Sequence, residues 1–193
     1  MSFLNVFTSA KWLAMAHGAG SQSMTIVTAY DTLGQEGLTH SLVQTHSRAI
    51  FLDPHLLPQL MNPLDKATEV DYIIYNTEAP VKPEHIDKLK DKHSRLTILS
   101  FDDLVKLGQE KKHDPVPPLP EDLMGIMYTS GSTGPPKGVP LLHKAVVAAG
   151  GEFSPDPPQS LLMKIQLPVS PSLLVLTSVP VIISLPTYPS HIS

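Results

Sequence analysis

The sequence predicts an α/β fold, a partial parallel sheet over residues 1–149, and three observations carry the prediction. Short β-rich runs alternate with stretches of helical spacing, the order in which crossover helices lay successive strands parallel. At least one run, Ala49–Asp53 (AIFLD), is apolar without alternation, as a strand covered on both faces is. From residue 150 the alternation stops, so 150–193 reads as a low-charge Ser/Pro/Leu-rich disordered tail.

The elements follow in order. Phe3, Val6, Phe7, Ala10, Leu13, Ala14 and His17 recur at helical spacing, which predicts a first helix over 3–17 broken by Gly18–Gly20; Trp12 belongs to its core face. Thr25–Tyr30 (TIVTAY) is β-rich and reads as a strand. Gln35–His46 forms a helix with Leu38 and Leu42 four apart on one face. After Ala49–Asp53, a proline-interrupted stretch holds a short helix near His55–Met61. Asp71–Asn76 (DYIIYN) reads as the clearest strand, with charge before it and turn residues after. Pro83–His93 is a charged helix closed around Ser94–Arg95, and Leu96–Phe101 is the next strand. Asp102 or Asp103 is the expected N-cap of a helix running through Leu104 to Lys111. His113–Pro120 (HDPVPPLP) is a stiff polyproline-like connector into the last strand, Gly125–Thr129.

Composition narrows the classes of function. With no cysteine, a disulfide scaffold, a thiol nucleophile and a cysteine zinc site are excluded. A net charge of −4, without a basic run, argues against nucleic acid. The first thirty residues hold one base, Lys11, and no acid, which is not the basic n-region of a secretory signal. Residues 165–190 carry no charge, but Pro168, Pro171, Pro180 and Pro186 break any spanning helix. The abrupt joint before that tail predicts translation past a missed splice site, which transcript sequence across Ala148–Glu152 tests. The nine histidines show no chelating spacing and no His-Glu-x-x-His, so no metal site is expected. Ser130 and Ser132 do not sit in a Gly-x-Ser-x-Gly elbow, which leaves a hydrolase triad without support.

Chemistry concentrates in residues 126–139, Ile-Met-Tyr-Thr-Ser-Gly-Ser-Thr-Gly-Pro-Pro-Lys-Gly-Val. An apolar strand runs into a loop of small residues. Glycines let backbone N–H groups turn toward one point, and hydroxyls add donors without blocking approach. With the Lys137 ammonium these groups describe a polyphosphate cradle. A Gly/Ser turn is the alternative, but a turn does not need two threonines, two serines and a lysine at these spacings. A Walker A loop is ruled out, because Lys137 follows Pro136 and precedes Gly138 where that motif has Gly-Lys-Ser/Thr.

TSGSTGPPKG resembles the signature loop of the adenylate-forming superfamily. Lys11–Thr45, AIFLDPHLLPQL and EDLMGIMYTSGSTGPPKGVPLLHKAVVAA narrow the resemblance to fungal long-chain fatty acid–CoA ligases over residues 4–149. The resemblance implies a partial AMP-binding domain over 1–149. It implies a reaction in which a fatty carboxylate attacks Mg·ATP to give acyl-AMP and pyrophosphate, and CoA then displaces AMP. By position it assigns Thr129, Ser130, Gly131, Ser132, Thr133, Gly134, Lys137 and Gly138 to the ATP phosphates, with Lys137 also catalytic through the charge it offers the departing pyrophosphate. ATP, Mg2+ and CoA are the implied cofactor, ion and co-substrate; small molecules are the implied partners. For localisation the family suggests endoplasmic reticulum, lipid droplet or peroxisome, with membrane association, or otherwise cytoplasm. The Tyr-Gly-x-Thr-Glu and Thr-Gly-Asp segments of such enzymes are absent, Thr77–Glu78 being an unrelated pair before the loop. So is the hinge with the small domain that bears the family's catalytic lysine. The expectation is a fragment that keeps the phosphate loop and is inactive alone; a non-catalytic remnant or interaction module is the alternative.

Overall fold

The computed structural model describes residues 9–29, 33–129, 136–151 and 181–184. One sheet of seven strands organises it: β1 (Thr25–Thr28), β2 (Ala49–Leu52), β3 (Tyr72–Tyr75), β4 (Thr97–Ser100), β5 (Leu123–Thr129), β6 (Lys137–Leu142) and β7 (Val181–Ser184). Their spatial order is β4-β3-β2-β7-β1-β5-β6. The pairs β2–β3, β3–β4 and β1–β5 are parallel, as expected. Two antiparallel strands complete the sheet. β7 runs against both β1 and β2, and β6 folds back on β5. Strands β1 to β5 therefore all point the same way and end at one edge of the sheet.

The helices α1 (Ala10–Gly20), α2 (Gly34–Gln44), α3 (Pro63–Lys66), α4 (Pro83–Lys92), α5 (Phe101–Glu110) and α6 (His143–Gly151), with a 3-10 helix at Pro54–Leu60, cover the sheet and its rim. Side chains of consecutive strand residues alternate between two cores. Ile50, Leu52 and Ile73 join Val27, Leu42, Leu57, Leu64, Leu89 and Tyr128 on the face covered by α2, α3, α4 and the 3-10 helix. Phe51 and Ile74 pack on the other face with Met15 and Ala19 of α1, against Trp12, Phe101 and Leu104. Burial of each such large side chain stabilises by about 1.5–3 kcal/mol. Leu42 is buried and Leu38 packs beside it, as their spacing predicts.

Several element ends differ from the sequence reading. α1 runs on through Gly18, at about 1 kcal/mol relative to alanine, and ends at Gly20 within the expected Gly18–Gly20 break, while the predicted start over 3–8 lies outside the described residues. The helix is closed by Ser23 at φ 54°, with the Met24 N–H donating to the Ala19 carbonyl at 3.0 Å. The closing residue is the one in the left-handed region, and glycine is not the only residue that reaches it. α2 ends in the same way at His46 (φ 51°), where Ser47 N–H donates to Leu42 O and His46 N–H to Val43 O. Ser100, not Asp102 or Asp103, caps α5. Its Oγ accepts from the Asp103 N–H at 3.0 Å and donates to the Asp103 carboxylate at 2.5 Å. The helix starts two to three residues earlier than the acidic pair suggests because the serine is already extended at the end of β4. α4 ends at His93, before Ser94–Arg95. Four elements have no counterpart in the sequence reading: α3, β6, α6 and β7. The last lies within 150–193, of which the structure describes only residues 150–151 and 181–184.

Candidate functional site

The glycine-rich segment leaves the sheet at the edge where β1 to β5 end, the place where open parallel sheets bind ligands. Its two ends are described: Thr129 closes β5 and Lys137 opens β6. Ser130, Gly131, Ser132, Thr133 and Gly134 lie outside the described residues. The register brings Thr129 opposite Lys137 and Tyr128 opposite Gly138, so a hairpin stem carries the segment. Thr129 Oγ1 donates to the Lys137 carbonyl at 3.4 Å, and both residues are exposed. Lys137 makes no ion pair with any described residue. Its charge is free to meet an anion.

The stem is fixed from one side by α2. Tyr128 is buried, and its hydroxyl donates to Gln44 Oε1 at 2.6 Å while His40 meets its ring edge-on at 6.3 Å. Burial pushes the Tyr128 phenol above its usual range. Across the hairpin, Gly138 leaves the space this ring needs. A Cβ there would lie 2.9 Å from Ile126 Cγ2 and 3.3 Å from Tyr128 Cζ. On the other side of the turn, Pro136 packs against α2 at Gly37, where an added Cβ would come within 3.3 Å of its Cγ. Sequence reasoning missed Tyr128, Gln44 and His40. Gln44 and Tyr128 are 84 positions apart, and only the pairing of β5 beside β1 brings them together.

Other polar residues gather at the same edge. Asn76, buried after β3, donates to Asp53 after β2 at 2.9 Å. Lys11 of α1 donates to Thr77 and pairs with Asp102 while lying over the Phe101 ring. Thr28 Oγ1, at the end of β1, is buried with no hydrogen-bond partner among the described residues. Among the described residues no group of three or more His, Cys, Asp and Glu is placed to hold a metal ion. No helix among them is long and apolar enough to cross a membrane. A groove of about 670 Å³ runs along α2, lined by Gln35, Thr39, His40, Gln44, Asn62 and Lys66 among others; it shares only His40 and Gln44 with the stem.

Comparison with known proteins agrees with this geometry. The family model described as AMP-binding enzyme matches residues 4–178. Long-chain-fatty-acid–CoA ligase 2 of Schizosaccharomyces pombe is 45% identical over 144 residues, 75% of this chain and 21% of that protein. Long-chain-fatty-acid–CoA ligase 1 of Saccharomyces cerevisiae is 47% identical over 161 residues, 76% of this chain and 23% of that protein. The chain thus spans about a fifth of the length of the curated relatives it matches. Among solved structures, the anthranilate CoA ligase AuaEII in complex with anthranoyl-AMP superposes with a TM-score of 0.61 at 20% identity, over 77% of this chain and 26% of that one. The A domain of a carboxylic acid reductase from Segniliparus rugosus, in complex with AMP and a carboxylic acid, gives 0.60 at 16% identity, over 75% and 24%. These two establish the fold.

Proposed function

The chain belongs to the AMP-binding enzyme family and is homologous to fungal long-chain fatty acid–CoA ligases, and from that premise we propose that the turn between β5 and β6 holds the phosphates of ATP. The observation that carries this is the stem: an exposed hydroxyl, Thr129, and an exposed ammonium, Lys137, that no acid among the described residues neutralises, paired at the carboxyl edge of the sheet. Lys137 offsets charge on the β- and γ-phosphates, and Thr129, Ser130, Gly131, Ser132, Thr133 and Gly134 supply hydroxyl and backbone donors. Gly138 serves the site by letting the stem pack. The reaction to which this belongs joins a long-chain fatty acid to CoA with conversion of ATP to AMP and pyrophosphate. Mg2+, when bound, would shield the charge of the triphosphate in such chemistry.

This chain binds phosphate without completing the reaction. Its sequence holds no Tyr-Gly-x-Thr-Glu and no Thr-Gly-Asp to orient adenine and ribose. A triphosphate held at one end does not place its α-phosphate for in-line attack. Two measurements on the purified chain test the reading. ATP binding should weaken by about 10-fold or more in Lys137→Ala, the scale of one lost charge-assisted hydrogen bond. Fatty-acid-driven ATP–pyrophosphate exchange should be absent. Equal ATP affinity in Lys137→Ala refutes the phosphate site, and exchange that is lost on Lys137→Ala refutes the incompetence.

A further inference from the structure

The connector before β5 carries a second message, independent of the nucleotide site. Residues 115–120 read Pro-Val-Pro-Pro-Leu-Pro. Each proline fixes its own φ near the polyproline II value and holds the residue before it extended, so Asp114, Val116, Pro117 and Leu119 are also confined. The segment belongs to no helix or strand.

A polyproline II helix has three residues per turn and three edges. Val116 and Leu119 share one edge, and Pro117 and Pro120 the next. All four are exposed, Val116 at 51% and Leu119 at 66%. The third edge carries Pro115, which is exposed, and Pro118, which is half-buried. Two aliphatic–proline pairs, Val116-Pro117 and Leu119-Pro120, therefore stand outward with one residue between them. That is the pattern that fills successive slots of an aromatic-lined groove.

The ridge is also held in shape. The Val116 N–H donates to Ser21 O at 2.9 Å and its carbonyl accepts from Ser23 Oγ at 2.6 Å. At the other end the Leu119 N–H donates to Asp122 Oδ2 at 2.7 Å. Little ordering entropy is left to lose on binding. Between these anchors, no hydrogen bond from a described residue ends on the carbonyls of Pro117 and Pro118, so both can accept from a partner's indole or phenol.

Charge selects among grooves. An SH3-type groove adds an acidic pocket for a cation flanking the prolines. In the outward Pro117–Pro120 register the flanking positions are Asp114 and Asp122, which such a pocket repels; the register that would offer Lys112 instead uses Pro118, which is half-buried. We propose that Val116–Pro120 is a docking ridge for a partner domain of the WW type, whose aromatic slots take Pro-Pro-Leu-Pro without an acidic pocket.

The test titrates the full chain into a 15N-labelled WW domain that accepts Pro-Pro-Leu-Pro peptides, and into an SH3 domain with an acidic specificity pocket. The wild-type chain should give saturable shifts on the WW aromatic residues. Leu119→Ala and Pro117→Ala should each weaken them by about 10-fold or more, the loss of one anchor. Leu119→Ala should leave the melting temperature of the chain unchanged, because the side chain is exposed. Asp114→Arg should create SH3 binding. The proposal is overturned if the WW domain does not bind, if the variants bind it as the wild type does, if the SH3 domain is preferred by the wild-type chain, or if Asp114→Arg gains nothing.

Discussion

Replacing Gly138 with alanine is the sharpest probe of the hairpin stem. The new Cβ would stand 2.9 Å from Ile126 Cγ2 and 3.3 Å from Tyr128 Cζ. The first contact is closer than packed carbons come, and neither neighbour moves freely. Cγ2 sits on the branched carbon of a stiff side chain, and the Tyr128 ring is pinned by its hydroxyl to Gln44. Overpacking of this kind costs about 1–3 kcal/mol. Gly138 is not in the left-handed region, so alanine also returns about 0.5–1 kcal/mol by restricting the unfolded chain. The net lies between about 0 and 2.5 kcal/mol of lost stability, centred near 1 kcal/mol or roughly 2–4 °C in melting temperature for a chain of this size. Calorimetry or thermal circular dichroism of the purified chain measures it. The decisive comparison is the same substitution in an Ile126→Ala background, where the closest contact is gone. The penalty should fall there by about 1 kcal/mol or more, as expected for residues that touch. A Gly138→Ala penalty identical in both backgrounds refutes the packing argument.

Further predictions concern the Tyr128 hydroxyl and the cap of α5. Tyr128→Phe removes the bond to Gln44, an exposed residue whose amide can turn to water, so the cost should be modest, about 0.5–1.5 kcal/mol by denaturant unfolding. The Tyr128 phenol is raised above 10.0 by burial, so its contribution is intact below that pH and is lost as pH rises through the folded value; Tyr128→Phe should flatten that alkaline loss, and an unchanged alkaline limb argues against it. Asp103 is held below 3.8, first by its hydrogen bond with Ser100, so its contribution is present above that pH and disappears as pH falls through the lowered folded value. Asp103→Asn should make the acid limb of an unfolding titration shallower, and an identical limb in the variant would count against the capping role.

Much of the fold was legible because the sheet's own strands announce themselves. Ala49–Leu52, Tyr72–Tyr75 and Thr97–Ser100 are short apolar or β-branched runs between polar turns, and each fell within a residue or two of its predicted place. Helix ends were less legible, since Ser23 and His46 do the closing that glycine signals elsewhere. β6 was hidden for a different reason. Lys137–Leu142 contains Gly138 and Pro140, residues that read as loop, and they are tolerated because β6 lies at the sheet edge with one neighbour only. β7 was hidden by its surroundings, four residues in an uncharged, proline-broken stretch. It joins the β1–β5 pair to the β2–β3–β4 group, and its partners are fixed by sheet order, which no local pattern encodes.

The site divides along the same line. Residue types and spacing single out Thr129 and Lys137 from the sequence as the proposed phosphate contacts, because a phosphate cradle is a local arrangement of donors on consecutive residues. The stem was not legible, because its parts come from three elements. Tyr128 lies on β5, Gly138 on β6 and Gln44 on α2, and the hydroxyl that ties the first to the last closes a gap of 84 positions. Lys137 and Gly138 are neighbours in one motif, yet the structure gives them different surroundings. The lysine is exposed and touches no acid among the described residues, so its replacement should alter anion affinity with little effect on unfolding. The glycine is exposed too, but a Cβ added to it would press on Ile126 and Tyr128, so its replacement should act on unfolding first and on affinity only through the stem. A cradle binds tightly only if its donors are held in place before the ligand arrives. The glycine next to the lysine is then best understood as part of the hinge-free mounting that keeps Thr129 and Lys137 opposite one another.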